Sequence, residues 1–412
     1  MPVSLALIST LKVHTNFTGN AESDFSADAK SGLSGEQVID GTTLYLFSPY
    51  GASFSLQGQV RMFDMVTGAY LGILGTFPAI GQGNMRPNGG MYIVNHPTYG
   101  KWLMMSCGPV WGGAFQLMAI TGKDSGGNPV APGTLTNFLI PLNNGIHAGS
   151  NQGATDVDSS GNIWLFGQSY DTGLSADGPP TMWQFTFTGT NTIAQVAATD
   201  FSALLGWTAG FGVRFDPLSG NLIIWGNDSG STPIVARVDQ NSSFAILASS
   251  TTVPMSIPMN MGTAGNYVTA YNFTFLAKIR CSDFTVLQTE NLSTVYGLPH
   301  TINRIWYDST NDYVWVNFQG FFSIAIVDLG NPSSAGAANL VDPGIVPEYG
   351  IDTTTICGLG GMCVTADGAH GVTVMNGGAP QLAFIDFWGG SVAAPMVLIG
   401  HSLNVLSSHY QT

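Results

Sequence analysis

The sequence predicts an all-β fold, a seven-bladed β-propeller of four-stranded antiparallel blades across residues 36–400. Three observations predict it. A strand–tight turn–strand unit recurs along the chain, its spacing is about 40–60 residues, the range of propeller blades, and no segment sustains a helical 3.6-residue period. Residues 1–35 form an N-terminal segment and residues 401–412 a C-terminal tail.

The hairpin is plainest in Gly212-Val213-Arg214-Phe215-Asp216-Pro217-Leu218-Ser219-Gly220-Asn221-Leu222-Ile223-Ile224-Trp225 and in Asp156-Val157-Asp158-Ser159-Ser160-Gly161-Asn162-Ile163-Trp164-Leu165-Phe166. Glycine and asparagine supply the left-handed backbone positions that such turns need. The apolar second-strand run starts at Leu44, Trp102, Ile163, Leu222, Tyr267, Tyr313 and Gly371. A third-strand run follows each: Val60–Asp64, Phe115–Ile120, Trp183–Phe187, Val235–Asp239, Phe275–Ile279, Ser323–Asp328 and Leu382–Asp386. A weaker fourth run often comes next, as in Ala69–Leu74. These runs are β-branched and aromatic, which suits a pleated surface, and many are apolar throughout, as strands covered on both faces are. One such sheet cannot bury both faces alone; stacking sheets into a closed ring does so and leaves few bare edges. The alternative arrangement is a pair of β-sandwiches. The apolar run Val3–Ile8 is expected to add a ring-closing strand to the last blade. Asp200–Gly206 is the best helix candidate, two turns at most.

Charged residues make up 9% of the 412 residues and net charge is −14 with 11 Lys and Arg, where about 25% charged is usual. Aromatics at 11% argue against disorder. So few cations, none clustered, argue against sequence-specific nucleic-acid binding, which draws its affinity from phosphate neutralisation. No run of apolar residues is long enough for a membrane span. The apolar start lacks a basic leader, so no cleaved secretion signal is expected. Cys107, Cys281, Cys357 and Cys363 fit no zinc spacing; buried thiols are expected, with Cys357 and Cys363 the pair that could join if they fall on adjacent segments.

The order apolar-Asp-x-x-Gly-Asn-apolar, seen at 156–165, followed by a strand ending near Asp, resembles propellers of the NHL or gluconolactonase-like kind over about residues 36–400. The Trp-Asp dipeptide of WD-type blades is absent, as are regularly placed kelch-type double glycines. The gluconolactonase-like resemblance implies acidic and Asn ligands for a divalent metal at the central channel. The residues ahead of the innermost strands that would supply them are Glu36, Asn151, Asn260 and Asn303. Only Glu36 is acidic, whereas hard cations take several oxygen ligands including carboxylates, so backbone-bonding loop residues are the simpler reading and no cofactor is expected.

His147 in Gly145-Ile146-His147-Ala148-Gly149 and His300 in Leu298-Pro299-His300-Thr301 precede blades and could reach a channel mouth as general bases, though no orienting partner is visible. Asp158, Asp216, Asp308 and Asp367 recur with the hairpin and read as turn caps. Trp111 and Trp388 lie in glycine-rich loops, open to a sugar or packed between blades.

The composition also resembles that of bacteriophage virion proteins. The expected function is a non-enzymatic structural and interaction propeller, a phage tail or head appendage subunit whose partners are other protein subunits of a large assembly. A metal-dependent lactonase-like or sugar-acting hydrolase is one alternative. The other is an adhesin that binds host-surface glycan. The expected location is the virion, or otherwise extracellular.

Overall fold

The computed structural model describes residues 8–14, 37–49, 58–66, 69–77, 85–86, 91–109, 114–120, 122–123, 129–130, 135–139, 145–146, 155–171, 176–189, 192–255, 257–261, 265–272, 274–296, 302–308, 313–318, 324–328, 339–341, 362–365, 370–375 and 381–387. They form small antiparallel sheets in which most strands pair in chain order, the arrangement of a β-propeller. The first sheet holds Gln37–Asp40, Thr43–Pro49, Gly58–Asp64 and Tyr70–Phe77. The fourth holds Ala209–Asp216, Asn221–Asn227, Pro233–Asp239 and Ala245–Ser250, and the fifth Ile257–Met261, Asn266–Tyr271, Phe275–Arg280 and Val286–Asn291. The sixth holds Ile302–Asp308, Tyr313–Phe318, Ile324–Asp328 and Asn339–Val341.

The sequence predicts four strands in each of seven blades, and this needs correction. Among the described residues five sheets have four strands and two have five. In the second sheet, Gly100–Pro109 pairs along one edge with both Met91–His96 and Met85–Arg86, and continues through Ala114–Ile120 to Leu135–Leu139. In the third, Ile163–Asp171 pairs with both Thr155–Val157 and Gly145–Ile146, and continues through Ala176–Gly189 to Thr192–Asp200. These second strands outrun the innermost strand beside them, and a further short segment covers the edge that would otherwise stay bare. A two-stranded ribbon, Gly122–Lys123 with Pro129–Val130, stands in the connection between the third and fourth strands of the second sheet.

The last sheet consists of Met362–Val364, His370–Met375 and Gln381–Phe387, with Ile8–His14 from the other end of the chain as its outermost strand. The joining strand thus begins where the apolar run Val3–Ile8 ends; Val3–Leu7 lie outside the described residues, as does the tail 401–412. Innermost strands of successive sheets touch one another in a circuit, from Gln37–Asp40 through Met91–His96, Thr155–Val157, Ala209–Asp216, Ile257–Met261, Ile302–Asp308 and Met362–Val364 back to Gln37–Asp40.

The core is a series of apolar clusters, each shared by neighbouring sheets. Tyr45, Val60 and Met62 of the first meet Leu103, Met105 and Met118 of the second. Trp102 and Leu117 of the second meet Ile163, Trp183 and Phe185 of the third. The pattern continues with Phe166, Val213 and Ile224, then Ile223, Tyr267 and Ile279, then Val268, Ile305 and Val316. The short helix Phe201–Leu205 forms where expected: the Asp200 carboxylate accepts from the Ser202 and Ala203 amides, and Gly206 closes it with φ of 71°.

The outermost strands of the first, third, fourth and fifth sheets carry a β-bulge at one common register. The extra residue is Leu71, Val196, Leu247 or Leu287, opposite the step into Phe63, Phe185, Val238 or Ile279 respectively. Each of those third-strand residues pairs with the first apolar residue of a second strand, Leu44, Ile163, Leu222 or Tyr267. A bulge there twists the free edge and interrupts its row of unpaired groups, which hinders pairing with foreign strands.

Two of the hairpin aspartates, Asp158 and Asp216, cap their turns as read from the sequence. Asp158 accepts from the Ser160 and Asn162 amides, from Asn162 Nδ2 and from Trp164 Nε1, all at 2.9 Å. Asp216 accepts from the Leu218 amide at 3.1 Å and Ser219 Oγ at 2.5 Å. Asp308 ends its strand, and Asp367 lies outside the described residues. Asp158→Ala is expected to cost about 2–3 kcal/mol, because bonds to a charged acceptor are lost and the buried Trp164 N–H is left unpaired. Asp158→Asn, which keeps one acceptor oxygen, should fall between; urea unfolding midpoints check both.

Candidate interaction site

The innermost strands of three successive sheets are irregular at the end away from the turn into the second strand. In the fourth sheet Gly210 pairs with Gly226 and Gly212 with Trp225, leaving Phe211 as an extra residue. In the sixth, Ile302 pairs with Phe318 and Arg304 with Asn317, leaving Asn303. Phe211 and Asn303 stand the same distance ahead of Asp216 and Asp308. In the fifth, Ile257 pairs with Ala270 and Asn260 with Val268, so that Pro258 and Met259 oppose Thr269 alone. Proline has no amide to donate, and a bulge is where a sheet tolerates it. These strands adjoin one another, so the bulges form one arc at the rim. Bulges concentrate at rims and binding sites because they re-aim side chains.

Phe211 is held there by its neighbours. A Cβ on Gly210 would fall 2.9 Å from the Phe166 ring, and one on Gly226 would fall 2.0 Å from the Ala209 carbonyl oxygen. Both positions need glycine for the strands and sheets to approach. Beside them Trp207 is buried, while the Thr208 amide donates to the Asn227 carbonyl at 3.0 Å and its hydroxyl to the Asp228 carbonyl at 2.8 Å. Asp228 in turn accepts from the Gly230 and Thr232 amides. On this braced frame Phe211 is 36% exposed, and Leu204 of the short helix 42%.

Polar groups join the third and fourth sheets deeper along the same strands. Asp156 Oδ2 accepts the Phe215 amide at 2.8 Å, and Arg214 Nη1 donates to the Thr155 carbonyl at 3.0 Å. Burial pushes the Asp156 carboxyl above the usual carboxylate range, opposed by the Arg214 charge and the Phe215 amide. Every one of these interactions ties strand to strand; none presents an activated nucleophile or base.

Of the residues picked from the sequence, Asn260 and Asn303 lie on this arc, on adjacent innermost strands. Glu36, Asn151, His147, His300, Trp111 and Trp388 lie outside the described residues. Among the described residues no three His, Cys, Asp or Glu side chains gather into a group able to hold a metal, and no helix is long and apolar enough to cross a membrane. Cys281 is a free, buried thiol, pushed up to about 12 chiefly by burial. Cys357 lies outside the described residues, so its pairing with Cys363 does too. Phe211 is the residue that the sequence reading passed over; its one signal was the pair of glycines flanking an aromatic inside an otherwise apolar strand.

No family model and no curated protein sequence matches this chain. Solved structures do. The β-propeller domain of Cps50 (Swd1) from Myceliophteria thermophila is 10% identical, with a TM-score of 0.53 over 87% of this chain and 98% of that one. A chain of the mitotic checkpoint complex is also 10% identical, with a TM-score of 0.50 over 92% and 94%. Chaetomium thermophilum Sqt1 bound to the N-terminus of the ribosomal protein L10 follows at 10% and 0.48, over 84% and 93%. At such identity the likeness is one of fold alone, the β-propeller. The resemblance to NHL and gluconolactonase-like blades reduces to a shared propeller architecture. The phage virion reading is corrected: the propellers to which this chain is similar are the Cps50 (Swd1) domain and a chain of the mitotic checkpoint complex, not virion proteins. Low charge suggested a virion only by composition, and it serves equally to let sheets stack face to face.

Proposed function

We propose that this chain is a protein-interaction propeller, a closed ring of seven blades whose partner docks on the bulged arc of the fourth to sixth sheets. The circuit of innermost-strand contacts supports the ring. The observation that carries the docking surface is the run of three bulges in adjoining innermost strands, with Phe211 exposed beside Gly210 and its partner Gly226, where a Cβ would clash. An aromatic anchor at the centre of a contact carries much of its energy.

Phe211→Ala is therefore expected to weaken partner binding by about 2 kcal/mol, roughly 30-fold, without changing stability. Leu218, 69% exposed in the aspartate turn at the other end of the strand, is the control. The tagged wild type, Phe211→Ala and Leu218→Ala proteins are used as bait, and captured proteins are quantified. Loss from Phe211→Ala alone supports the reading. Equal capture by all three, or loss from Leu218→Ala alone, removes the arc as the docking surface.

A further inference from the structure

At the opposite end of the ring, the turn of the second sheet, Pro97–Gly100, leans on the third sheet through one histidine. His96 Nδ1 accepts the Thr98 and Tyr99 amides, each at 3.1 Å. Its ring lies 4.8 Å from that of Tyr99 and 5.2 Å from that of Phe187 in the third sheet. The Tyr99 carbonyl accepts the Trp102 indole N–H at 3.0 Å, and Trp102 packs 5.2 Å from Phe187. Gly161 meets His96 so closely that a Cβ would fall 3.0 Å from its Cα. One nitrogen therefore holds the turn, and the turn holds the aromatic joint between two sheets.

We infer that the His96 turn is an acid-released latch between the second and third sheets. The chemistry is that of imidazole. Neutral histidine offers one acceptor nitrogen; imidazolium offers two donors and no acceptor. A proton on Nδ1 would face two amide donors, so both bonds are lost together and the ring has to leave.

The charged group facing His96 is Asp158 of the third sheet, which favours the cation; burial among Tyr99 and Phe187 disfavours it and is the stronger effect, so the pKa lies below the ordinary imidazole value. The Asp158 carboxylate is also occupied by four donors of its own turn. On the remaining side Lys101 is held by Asp40 of the first sheet at 2.5 Å. Because the folded pKa is depressed, the latch contributes fully above about pH 6.5 and is lost as pH falls through the folded value.

The test is amide hydrogen exchange at Thr98 and Tyr99 in the wild-type chain at pH 7.5 and pH 5, corrected for intrinsic rates, with the ¹⁵N shift of His96 Nδ1 read alongside. Protection at both amides should fall at least about tenfold as Nδ1 gains its proton. His96→Asn supplies an acceptor oxygen that does not titrate, and should keep protection at both pH values. Unchanged wild-type protection at pH 5, or an equal loss in His96→Asn, overturns the latch.

Discussion

Gly226→Ala is expected to destabilise the protein by about 3 kcal/mol, the upper part of the range for overpacking. The added methyl would sit 2.0 Å from the Ala209 carbonyl oxygen and 3.1 Å from the Trp207 ring. The first of these is backbone of the paired strand, so no rotamer change relieves it. The Ala209–Asn227 and Gly210–Gly226 pairs would have to separate, and with them the footing of the Phe211 bulge. Gly230→Ala, four residues on, is the matched control. Its nearest neighbours would be 3.4 and 3.7 Å away, and its cost should stay within about 0.5 kcal/mol. Urea unfolding midpoints decide the matter; equal midpoints for the two variants would mean that the fourth sheet yields at this pair.

Trp183→Ala should cost about as much or more, roughly 3–5 kcal/mol. Trp183 is fully buried in the cluster where the second and third sheets meet, among Trp102, Leu117, Ile163 and Phe185. Removing it opens a cavity whose walls belong to two sheets, each pinned by its own ladders, so collapse is limited. Its indole N–H is buried and meets no acceptor among the described residues. Trp183→Phe therefore gives up some area but sheds an unpaired donor, and should cost no more than about 1–2 kcal/mol. If the Phe variant falls as far as the Ala variant, the indole nitrogen is bonded and the site is tighter than its geometry indicates.

Second and third strands were legible in the sequence because both of their faces are covered. Tyr313 and Ile163, read as starting points of apolar runs, begin their strands, and Leu44, Leu222 and Tyr267 lie one residue inside theirs. The aspartate turns were legible for another reason: the bonds of Asp158 reach no farther than Trp164, so the motif carries its own structure. What pairing decides was not legible. Whether Met85–Arg86 joins the edge of Gly100–Pro109 depends on how far that strand outruns Met91–His96, and nothing local to either segment states it. The bulge at Phe211 is likewise a difference between two registers. Asn260 and Asn303 were chosen as oxygen ligands ahead of innermost strands; they lie within those strands, where the irregular pairing runs.

The last sheet has a consequence for how the molecule comes into being. In every other sheet of four or more strands, all strands leave the ribosome in succession, and each hairpin can close as soon as it emerges. The exception is Ile8–His14, whose partner is Gln381–Phe387. At roughly 5–20 residues per second, this strand waits on the order of a minute for its partner. Through that interval the nascent chain carries an unpaired β-strand while the sheets behind it assemble. A ribosome that stalls or terminates before residue 381 releases a product with most of its sheets complete and one strand with nothing to pair with.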